Sequence, residues 1–206
     1  MAERPLLIGL TGSIGMGKTE TAKMFARLGV PVYDSDAAVH RLYEPGGAAV
    51  AKIESAFPGS VKGGGVDREE LSRQVRELPD GLKRLEAIVH PLVRQQQSIY
   101  LAKMAKSGAD LIVLDIPLLL ETGSQERMDA VVVVSAPPHI QRERVLAREG
   151  MTPEKLDHIL ARQMPDAEKR AKAHFVVETD KGLDHAFEQV KKIVAALRAR
   201  RAARNG

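Results

Sequence analysis

Short apolar runs recur along the chain and predict its strands. Residues 6–10, 111–114 and 131–134 consist almost entirely of Leu, Ile and Val. Continuous runs of this kind are typical of parallel strands that are covered on both faces. Residues 30–33 and 175–177 predict two shorter strands, which border on turn-forming or polar residues.

Segments with helical periodicity separate these runs. Residues 18–28 predict a helix that ends at Gly29, a residue that favours helix termination. Its predicted buried side chains are Ala22, Phe25, Ala26 and Leu28. Residues 35–43 predict a second helix, and residues 183–200 predict a last helix with one apolar face. That face consists of Phe187, Val190, Ile193, Val194 and Leu197. Strands that alternate with helices predict an α/β fold with a parallel sheet flanked by helices.

Two regions differ from this alternation. Residues 44–106 contain several turn glycines between helical patterns, and we interpret them as a helical insertion in which Asp67 and Glu70 suit a capping box. Residues 138–173 are charged and helical, with Thr152 placed as the cap of a short helix. A charged helical segment of this kind suits a mobile cover over a binding site.

A glycine-rich segment lies between the first predicted strand and the first predicted helix. Its eight residues are Gly12, Ser13, Ile14, Gly15, Met16, Gly17, Lys18 and Thr19. Glycine, four residues and then Gly-Lys-Thr is the phosphate-binding pattern of P-loop enzymes, which occurs between a strand and a helix. A glycine-rich turn that precedes Lys-Thr by chance is the alternative, and it would leave this context unexplained. We therefore expect the chain to bind ATP with Mg²⁺.

The chemistry of this loop assigns roles to its residues. Glycines let the backbone wrap around a polyphosphate, so that N–H groups and the following helix N-terminus face the anion. Lys18 is expected to reach the terminal phosphates, and the Thr19 hydroxyl to complete the ligand shell of Mg²⁺. Glu20, in the first turn of the helix, is also predicted to be a nucleotide-binding residue.

Three carboxylates follow predicted strands, where ligands bind in open parallel sheets. An acceptor hydroxyl needs a carboxylate to take its proton or to orient it during phosphoryl transfer. Asp36 is our choice for that catalytic role, and Asp34 then caps a helix or serves the metal. The opposite assignment remains open, because periodicity does not separate two residues so close together. Asp115 ends a strand and is a candidate metal residue.

Composition excludes several classes of function. The chain contains no cysteine, so disulfides and thiolate chemistry are excluded. It has no Asn-Lys-x-Asp guanine-reading element, which argues against a GTP-dependent switch. No apolar stretch approaches the roughly 18 residues of a membrane span. The basic stretch of residues 191–204 has no aromatic residue, so nucleic acid is not an expected partner. We expect a cytoplasmic enzyme that acts on a small molecule, as a monomer or weak homo-oligomer.

Four motifs together resemble the dephospho-CoA kinase family. They are Gly9-Leu10-Thr11-Gly12, Asp34-Ser35-Asp36, His90-Pro91-Leu92-Val93-Arg94 and Asp115-Ile116-Pro117-Leu118-Leu119-Leu120-Glu121. The resemblance implies transfer of the ATP γ-phosphoryl group to the ribose 3′-hydroxyl of dephospho-CoA, the last step of coenzyme A biosynthesis. It also implies a P-loop nucleotide-binding core of residues 1–42, 107–139 and 170–206, a helical CoA-binding domain of residues 43–106 and a lid of residues 140–169.

The resemblance also implies roles for residues in the lid. Asp36 matches the catalytic aspartate of the family, in agreement with the choice made above. Arg148 matches a lid arginine that would close onto the phosphates, and Arg144 competes with it for that role. Gln163 is expected near the adenine of ATP. Read only as helix residues, both arginines would be solvent-facing cations.

Further residues are implied around the acceptor. His90 and Arg94 lie four residues apart, so one helical face could present both to an anionic substrate. Pro91 would instead suit the start of a helix, which makes a structural role for His90 equally compatible with the sequence. Leu118 and Glu121 are expected to border the acceptor pocket, with Glu121 orienting a hydroxyl or an arginine.

Two other functions remain as alternatives. A nucleoside or nucleoside monophosphate kinase shares the phosphate-binding loop, the acidic strand end and the arginine-bearing lid. A nucleotide-dependent binding module that uses its basic end to engage RNA would bind in a strongly salt-dependent way.

Overall fold

The structure is a computed structural model that describes residues 4–203. Residues 1–3 and 204–206 lie outside the described residues. Both ranges belong to the predicted nucleotide-binding core, and residue 204 also ends the basic stretch. The described strands are β1 Leu6–Thr11, β2 Val32–Asp34, β3 Val61–Lys62, β4 Gly65–Val66, β5 Leu111–Asp115, β6 Ala130–Ser135 and β7 Phe175–Glu178. Five of them form one sheet in the order β2-β5-β1-β6-β7, and β3 pairs with β4 in a separate hairpin.

The helices of the described residues cover every segment predicted to be helical. They are α1 Lys18–Arg27, α2 Ser35–Tyr43, α3 Val50–Ala56, α4 Arg68–Glu77, α5 Gly81–Lys106, α6 Pro138–Leu146, α7 Pro153–Leu160, α8 Asp166–Lys172 and α9 Leu183–Ala203. A short 3-10 helix, Ser124–Arg127, precedes β6. The prediction of α2 is confirmed at both ends, and Gly29 follows α1 with a φ of 75°.

Parallel pairing aligns the carboxyl ends of the central strands. Pairing of β1 with β5 places Leu10 beside Asp115, and pairing of β1 with β6 places Thr11 beside Val133. β6 also pairs in parallel with β7. All residues of β5 and β6 are buried, as their continuous apolar sequences predicted. The segment that follows β1 therefore starts at the edge of the sheet where ligands bind in this class of fold.

The inner face of α1 agrees with the prediction only in part. Thr21, Met24 and Phe25 are its buried residues, whereas Ala26 is exposed. The residues of α1 that face the sheet recur at helical spacing, and they include one polar residue, Thr21, together with Met24. Of the four residues predicted to be buried, Phe25 is buried, Ala22 and Leu28 are partly buried against the core, and only the prediction for Ala26 is wrong. Phe187 of α9 is only partly buried, and the Arg27 guanidinium covers its ring at 4.4 Å from the centroid.

Side-chain caps begin several helices, and one predicted cap is only half present. Asp67 accepts hydrogen bonds from the N–H groups of Glu69 and Glu70, as expected at the start of α4. The Glu70 carboxylate does not return to the cap, because Arg73 and Gln74 bind it and lower its pKa to about 2. Thr152 accepts from the N–H of Lys155 at the start of α7, which confirms the cap predicted there.

The chain divides into two compact units. One comprises the residues up to Tyr33 and from Met104 onward, and the other comprises Asp34–Lys103. The first, which we call the sheet unit, contains the five-stranded sheet and α6, α7 and α8. The second, which we call the helical unit, has its own core. Its buried apolar residues are Leu42, Ala49, Ile53, Phe57, Leu71 and Leu92.

One expectation for the helical unit is wrong. Pro91 does not start a helix but lies inside α5, which begins ten residues earlier at Gly81. Ile88 before the proline and the buried Leu92 after it both pack against the core of the helical unit. Tertiary packing therefore outweighs the helix-breaking tendency of Pro91. Among residues 4–203, no helix has the combined length and apolarity that crossing a bilayer requires.

Candidate active site

The loop between β1 and α1 has the conformation that its glycines permit. Gly15 and Gly17 adopt positive φ angles of 77° and 95°, a region that other residues rarely occupy. A Cβ atom on Gly12 would lie 2.7 Å from the Val134 carbonyl oxygen, so the loop approaches β6 too closely for any side chain there. The backbone thus forms a tight turn of the kind that cradles phosphate groups.

The start of α1 completes this turn. Gly17 precedes the helix, and no side chain caps the N–H groups of its first turn. Such N–H groups, together with the helix dipole, favour an anion at this position. Lys18 and Thr19 are the first residues of α1 and therefore lie beside those donors.

Lys18 and Asp115 form an ion pair at the end of the sheet. The Lys18 Nζ atom donates to the Asp115 carboxylate, and both side chains are largely buried. Asp115 is the last residue of β5, which pairs with β1. The predicted metal residue and the predicted phosphate-binding lysine are thus brought together by the register of two adjacent strands.

Two glutamine side chains and one backbone N–H from later segments hold the loop. Gln141 of α6 donates to the Ile14 carbonyl oxygen over 2.8 Å, and Gln163 accepts from the Ile14 N–H over 3.1 Å. Met16 is 1% exposed, and its thioether sulfur accepts from the Ala136 N–H. The Ile14 and Met16 positions of the motif therefore anchor the loop to the rest of the sheet unit.

Gln163 is in contact with the phosphate-binding loop, whereas the sequence suggested a place near adenine. Gln141 was missed as a site residue, although it lies in the same charged helical segment. The structure places it on the inner face of α6, where it is 7% exposed. Polar residues on a buried helical face are candidates for such backbone contacts.

A cavity of about 290 Å³ opens beside the loop in the sheet unit. Residues of the loop, α1, α6 and the start of α9 line it, including Glu20, Met24, Arg144, Arg148 and Leu183. The two arginines of the predicted lid therefore share one cavity with the loop glycines. Their side chains differ in partners, because Arg144 donates to Thr179 whereas Arg148 is exposed.

Glu121 contacts the segment predicted to be the lid. Its carboxylate accepts from the Met164 N–H over 2.9 Å and lies 2.8 Å from the Nζ atom of Lys169, which is fully buried. Burial favours a raised pKa for Glu121, but the hydrogen bonds from Lys169 and Met164 outweigh it and lower the pKa. Its cationic partner is thus a lysine. Leu118 is 42% exposed, whereas the two leucines between it and Glu121 are buried.

The helical unit contains a cavity of its own, of about 550 Å³. Its polar lining includes Asp36, His40, Tyr43, Arg68 and Arg76. The apolar lining consists of Val39, Leu71, Val75, Leu82 and Leu85. Arg68 Nη1 lies 3.2 Å from His40 Nε2, and its guanidinium carbon lies 5.6 Å from the centre of the Tyr43 ring. Burial raises the pKa of Tyr43, and the Arg68 charge offsets part of that effect. The cavity therefore combines positive charge with an apolar wall.

Two aspartates at the start of α2 have different surroundings. Asp34 caps the helix, because its Oδ1 atom accepts from the Ala37 N–H over 2.9 Å. Asp36 is exposed in the first turn and lines the cavity of the helical unit. His90 and Arg94 are exposed one turn apart on α5, and neither lines that cavity. The residues predicted to bind the nucleotide, together with Leu118 and Glu121, thus lie in the sheet unit, and Asp34, Asp36, His90 and Arg94 lie in the helical unit.

The sequence is closely similar to proteins of one family. Residues 6–185 match the family described as dephospho-CoA kinase. A dephospho-CoA kinase of Rhodopseudomonas palustris is 58% identical over 191 residues, which cover 93% of this chain and 95% of that protein. A dephospho-CoA kinase of Brucella melitensis is 54% identical over 198 residues, covering 96% of this chain and 98% of that protein.

Solved structures support the same relationship. A crystal structure from Thermus thermophilus has a TM-score of 0.83 and 38% identity, covering 94% of this chain and 98% of that chain. A dephospho-CoA kinase from Campylobacter jejuni has a TM-score of 0.63 at 22% identity, covering 93% of this chain and 96% of that chain, and it shows the shared fold. The predicted α/β fold of the P-loop type is confirmed. By sequence and by fold, the chain belongs to the dephospho-CoA kinase family, the ATP-dependent kinases that complete coenzyme A biosynthesis.

Proposed function

We propose that this chain transfers the γ-phosphoryl group of ATP to the ribose 3′-hydroxyl of dephospho-CoA, giving CoA and ADP. The observation that carries the proposal is the 58% identity to a dephospho-CoA kinase over 191 residues, 93% of the chain. The phosphate-binding loop and the charged cavity of the helical unit lie within the matched residues 6–185. The loop is accordingly proposed to bind ATP, and the cavity to bind the acceptor.

The phosphate-binding loop and the start of α1 are proposed to hold the ATP phosphates. The N–H groups of the loop donate to phosphate oxygens, and Lys18 adds a positive charge to the terminal groups. The positive φ angles of Gly15 and Gly17 support this role, because turns with such residues form anion-binding concavities of backbone N–H groups. On nucleotide binding, the Lys18 ammonium group is expected to contact the phosphates and to weaken its ion pair with Asp115.

Thr19 and Asp115 are proposed to hold Mg²⁺, with Asp34 as a further candidate. Hydroxyl and carboxylate oxygens are ligands that Mg²⁺ prefers, together with phosphate and water oxygens. No cluster of three or more His, Asp or Glu side chains in residues 4–203 is arranged to hold a metal ion by itself. This donor set suits a metal bound chiefly through the nucleotide. When bound, Mg²⁺ neutralises charge on the phosphates.

Asp36 is proposed to act on the acceptor hydroxyl. Its carboxylate is exposed and, unlike that of Asp34, does not cap α2, so it remains available to accept a proton. Positive side chains in the cavity that it lines, Arg68 and Arg76, suit the diphosphate of dephospho-CoA, and the apolar wall suits less polar parts of the acceptor. This supports the predicted CoA-binding role of residues 43–106. His90, Arg94, Leu118 and Glu121 remain predicted acceptor contacts.

Arg148 is proposed to contact the transferring phosphoryl group, with residues 140–169 acting as the lid. Its side chain is exposed in the cavity beside the loop, where a cation can move onto the phosphates. Closure of the lid would exclude water and limit hydrolysis of ATP. A cytoplasmic location and a monomeric or weakly associated state remain predictions from the sequence.

The direct test is an ADP-release assay with MgATP and one of four acceptors: dephospho-CoA, adenosine, AMP or CMP. We expect stoichiometric ADP release only with dephospho-CoA, accompanied by formation of CoA. Activity with AMP or CMP would support a nucleoside monophosphate kinase, and activity with adenosine a nucleoside kinase. No release with any acceptor would contradict the proposal and favour a nucleotide-binding module.

A further inference from the structure

Thr179 connects three parts of the nucleotide site within the sheet unit. It follows β7 directly and is 8% exposed. Its Oγ1 atom lies 2.8 Å from the Met16 carbonyl oxygen of the phosphate-binding loop and 2.8 Å from Arg144 Nη1 of α6. Its backbone N–H donates to the Ser135 carbonyl oxygen at the end of β6. A residue that no motif singles out is therefore bonded to the loop, the sheet and the lid.

The directions of these hydrogen bonds follow from chemistry. A guanidinium group only donates, so the Thr179 hydroxyl accepts from Arg144. Its single proton must then point to a carbonyl oxygen. The Met16 oxygen at 2.8 Å is the better acceptor than the Ser135 oxygen at 3.4 Å, which already accepts the Thr179 N–H. The bonds run from Arg144 through the Thr179 hydroxyl to the Met16 carbonyl.

Thr179 also binds the second terminal nitrogen of Arg144. Arg144 Nη2 donates to the Thr179 carbonyl oxygen over 2.7 Å, so both terminal nitrogens bind one residue. This two-point attachment fixes the plane of the guanidinium group on the wall of the 290 Å³ cavity. Arg148, on the same wall, has no side-chain hydrogen bond or ion pair among residues 4–203.

Packing adds a third restraint on the loop. The methyl group of Thr179 lies against Gly17, where an added Cβ would be 3.3 Å from Thr179 Cγ2. Gly17 directly precedes Lys18, the residue that is expected to bind the terminal phosphates. A displacement of Thr179 would therefore disturb its contacts with Arg144, the Met16 carbonyl and Gly17 at the same time.

We propose that Thr179 is a positioning residue, which holds the Arg144 guanidinium and the phosphate-binding loop in one fixed geometry for nucleotide binding. Arg144 then forms a fixed wall of the nucleotide cavity, and Arg148 is the cation that remains able to move. The proposal rests on the proposed function only in taking ATP as the nucleotide.

The test is Thr179→Val, which keeps the shape of the side chain and removes the hydroxyl. Loss of a hydrogen bond to a charged group predicts that the Kd and KM for ATP rise about tenfold or more. We expect kcat at saturating ATP to change less than about threefold, because Thr179 does not touch the reacting groups. Thr179→Ser keeps the hydroxyl and is expected to bind ATP within about twofold of the unmodified protein.

A double-mutant cycle asks whether Thr179 acts through Arg144. Arg144→Ala alone should raise the Kd for ATP, and Thr179→Val added to it should raise it by less than about threefold further. Ser107→Ala is the matched control, because its hydroxyl also bonds a backbone carbonyl, that of Met104, but precedes the amino end of β5, whereas Thr179 follows the carboxyl end of β7. It should leave ATP binding unchanged.

Direct titration of ATP in the absence of acceptor separates this proposal from the identity of the substrate. The acceptor can prove to be something other than dephospho-CoA without changing the titration. The proposal is overturned if folded Thr179→Val binds ATP as the unmodified protein does, or if Thr179→Ser is as weak as Thr179→Val. Independent, multiplicative effects in the double mutant would also overturn it. A lower melting temperature with unchanged ATP affinity would make Thr179 only a stabilising residue.

Discussion

At the scale of the residue, two aspartates two positions apart are used differently. Asp34 gives its carboxylate to the first turn of α2, whereas Asp36 keeps its carboxylate exposed in the cavity of the helical unit. A carboxylate that already accepts a backbone hydrogen bond is a poorer candidate for taking a proton from a substrate. The structure therefore supports the choice of Asp36 as the base on physical grounds that the sequence lacked.

Asp36→Asn should lower kcat by at least about a hundredfold, the usual contribution of a positioned general base. The Kd for ATP should stay within about twofold, because an asparagine leaves the phosphate-binding loop untouched. Steady-state kinetics with dephospho-CoA and titration of ATP measure the two effects. The matched control is Asp80→Asn, which removes an exposed carboxylate that pairs with Arg84 and should leave kcat unchanged. Parallel losses of ATP affinity and turnover would instead identify Asp36 as a metal residue.

The sequence predicted residues whose role follows from a local pattern. The spacing of Gly12, Gly17 and Lys18 predicted the loop, because strand, turn and helix are contiguous in the chain. Thr179 and Gln141 were not predicted, since each acquires its role only when the sheet brings it to the loop. Contacts between residues more than a hundred positions apart have no local signature in one sequence.

At the scale of the element, helix α5 shows how packing overrides local preference. Pro91 has no N–H to donate to the carbonyl of Ala87 one turn earlier, yet the helix continues through it. Ile88 and Leu92, which pack against the core of the helical unit, supply the compensating packing. The two-residue strands β3 and β4 were also beyond prediction, because segments that short show no periodicity.

Pro91→Ala should stabilise the protein, since alanine restores the helical hydrogen bond and removes the clash of the proline ring. We expect the free energy of unfolding to rise by roughly 1–3 kcal/mol. Pro79→Ala is the matched control, as Pro79 is exposed and lies between α4 and α5. There the change should be neutral or slightly destabilising, because it only frees the unfolded chain. Denaturant titration compares the two, and equal effects would contradict this account of α5.

At the scale of the whole molecule, stability depends on a buried ion pair. Lys169 is fully buried beside Glu121, so a partner for its charge is required in the folded state. The pair also links the segment after β5 to α8, elements that are far apart in the sequence. No alternation or motif predicted a buried lysine.

Glu121→Gln should lower the free energy of unfolding by roughly 3 kcal/mol at neutral pH, because it leaves the Lys169 ammonium without its counter-charge. The pKa of Glu121 is lowered in the folded protein from an ordinary value of 4.5. The Glu121 carboxylate therefore stabilises the folded state fully above about pH 4.5. The contribution is lost as the pH falls through the lower pKa of the folded state. The difference between the two proteins should therefore shrink below pH 4.5, as denaturant titrations at several pH values would measure. A difference that does not change with pH would show that the glutamine disrupts packing instead.

Removal of Mg²⁺ tests the nucleotide site through the stability of the molecule. A ligand present at about 100 times its Kd raises the free energy of unfolding by about 2.7 kcal/mol. ATP with Mg²⁺ should therefore raise the melting temperature clearly, and ATP with EDTA should raise it less. Thr19→Ala should remove most of that difference, while Thr122→Ala, which alters an exposed hydroxyl in the turn after Leu118, should preserve it. Equal shifts with and without Mg²⁺ would count against the proposed metal ligands.

The burial of Met16 has a consequence for chemical damage. Its sulfur accepts the Ala136 N–H and is shielded from solvent, in a chain whose sulfur atoms all belong to its seven methionines. A peroxide reaches thioethers in order of their access, and a sulfoxide at Met16 would no longer fit beside Ala136. Oxidation there is therefore expected to lag behind oxidation of the partly exposed methionines. The appearance of that sulfoxide in a peptide map would therefore indicate that the phosphate-binding loop has unfolded and exposed Met16.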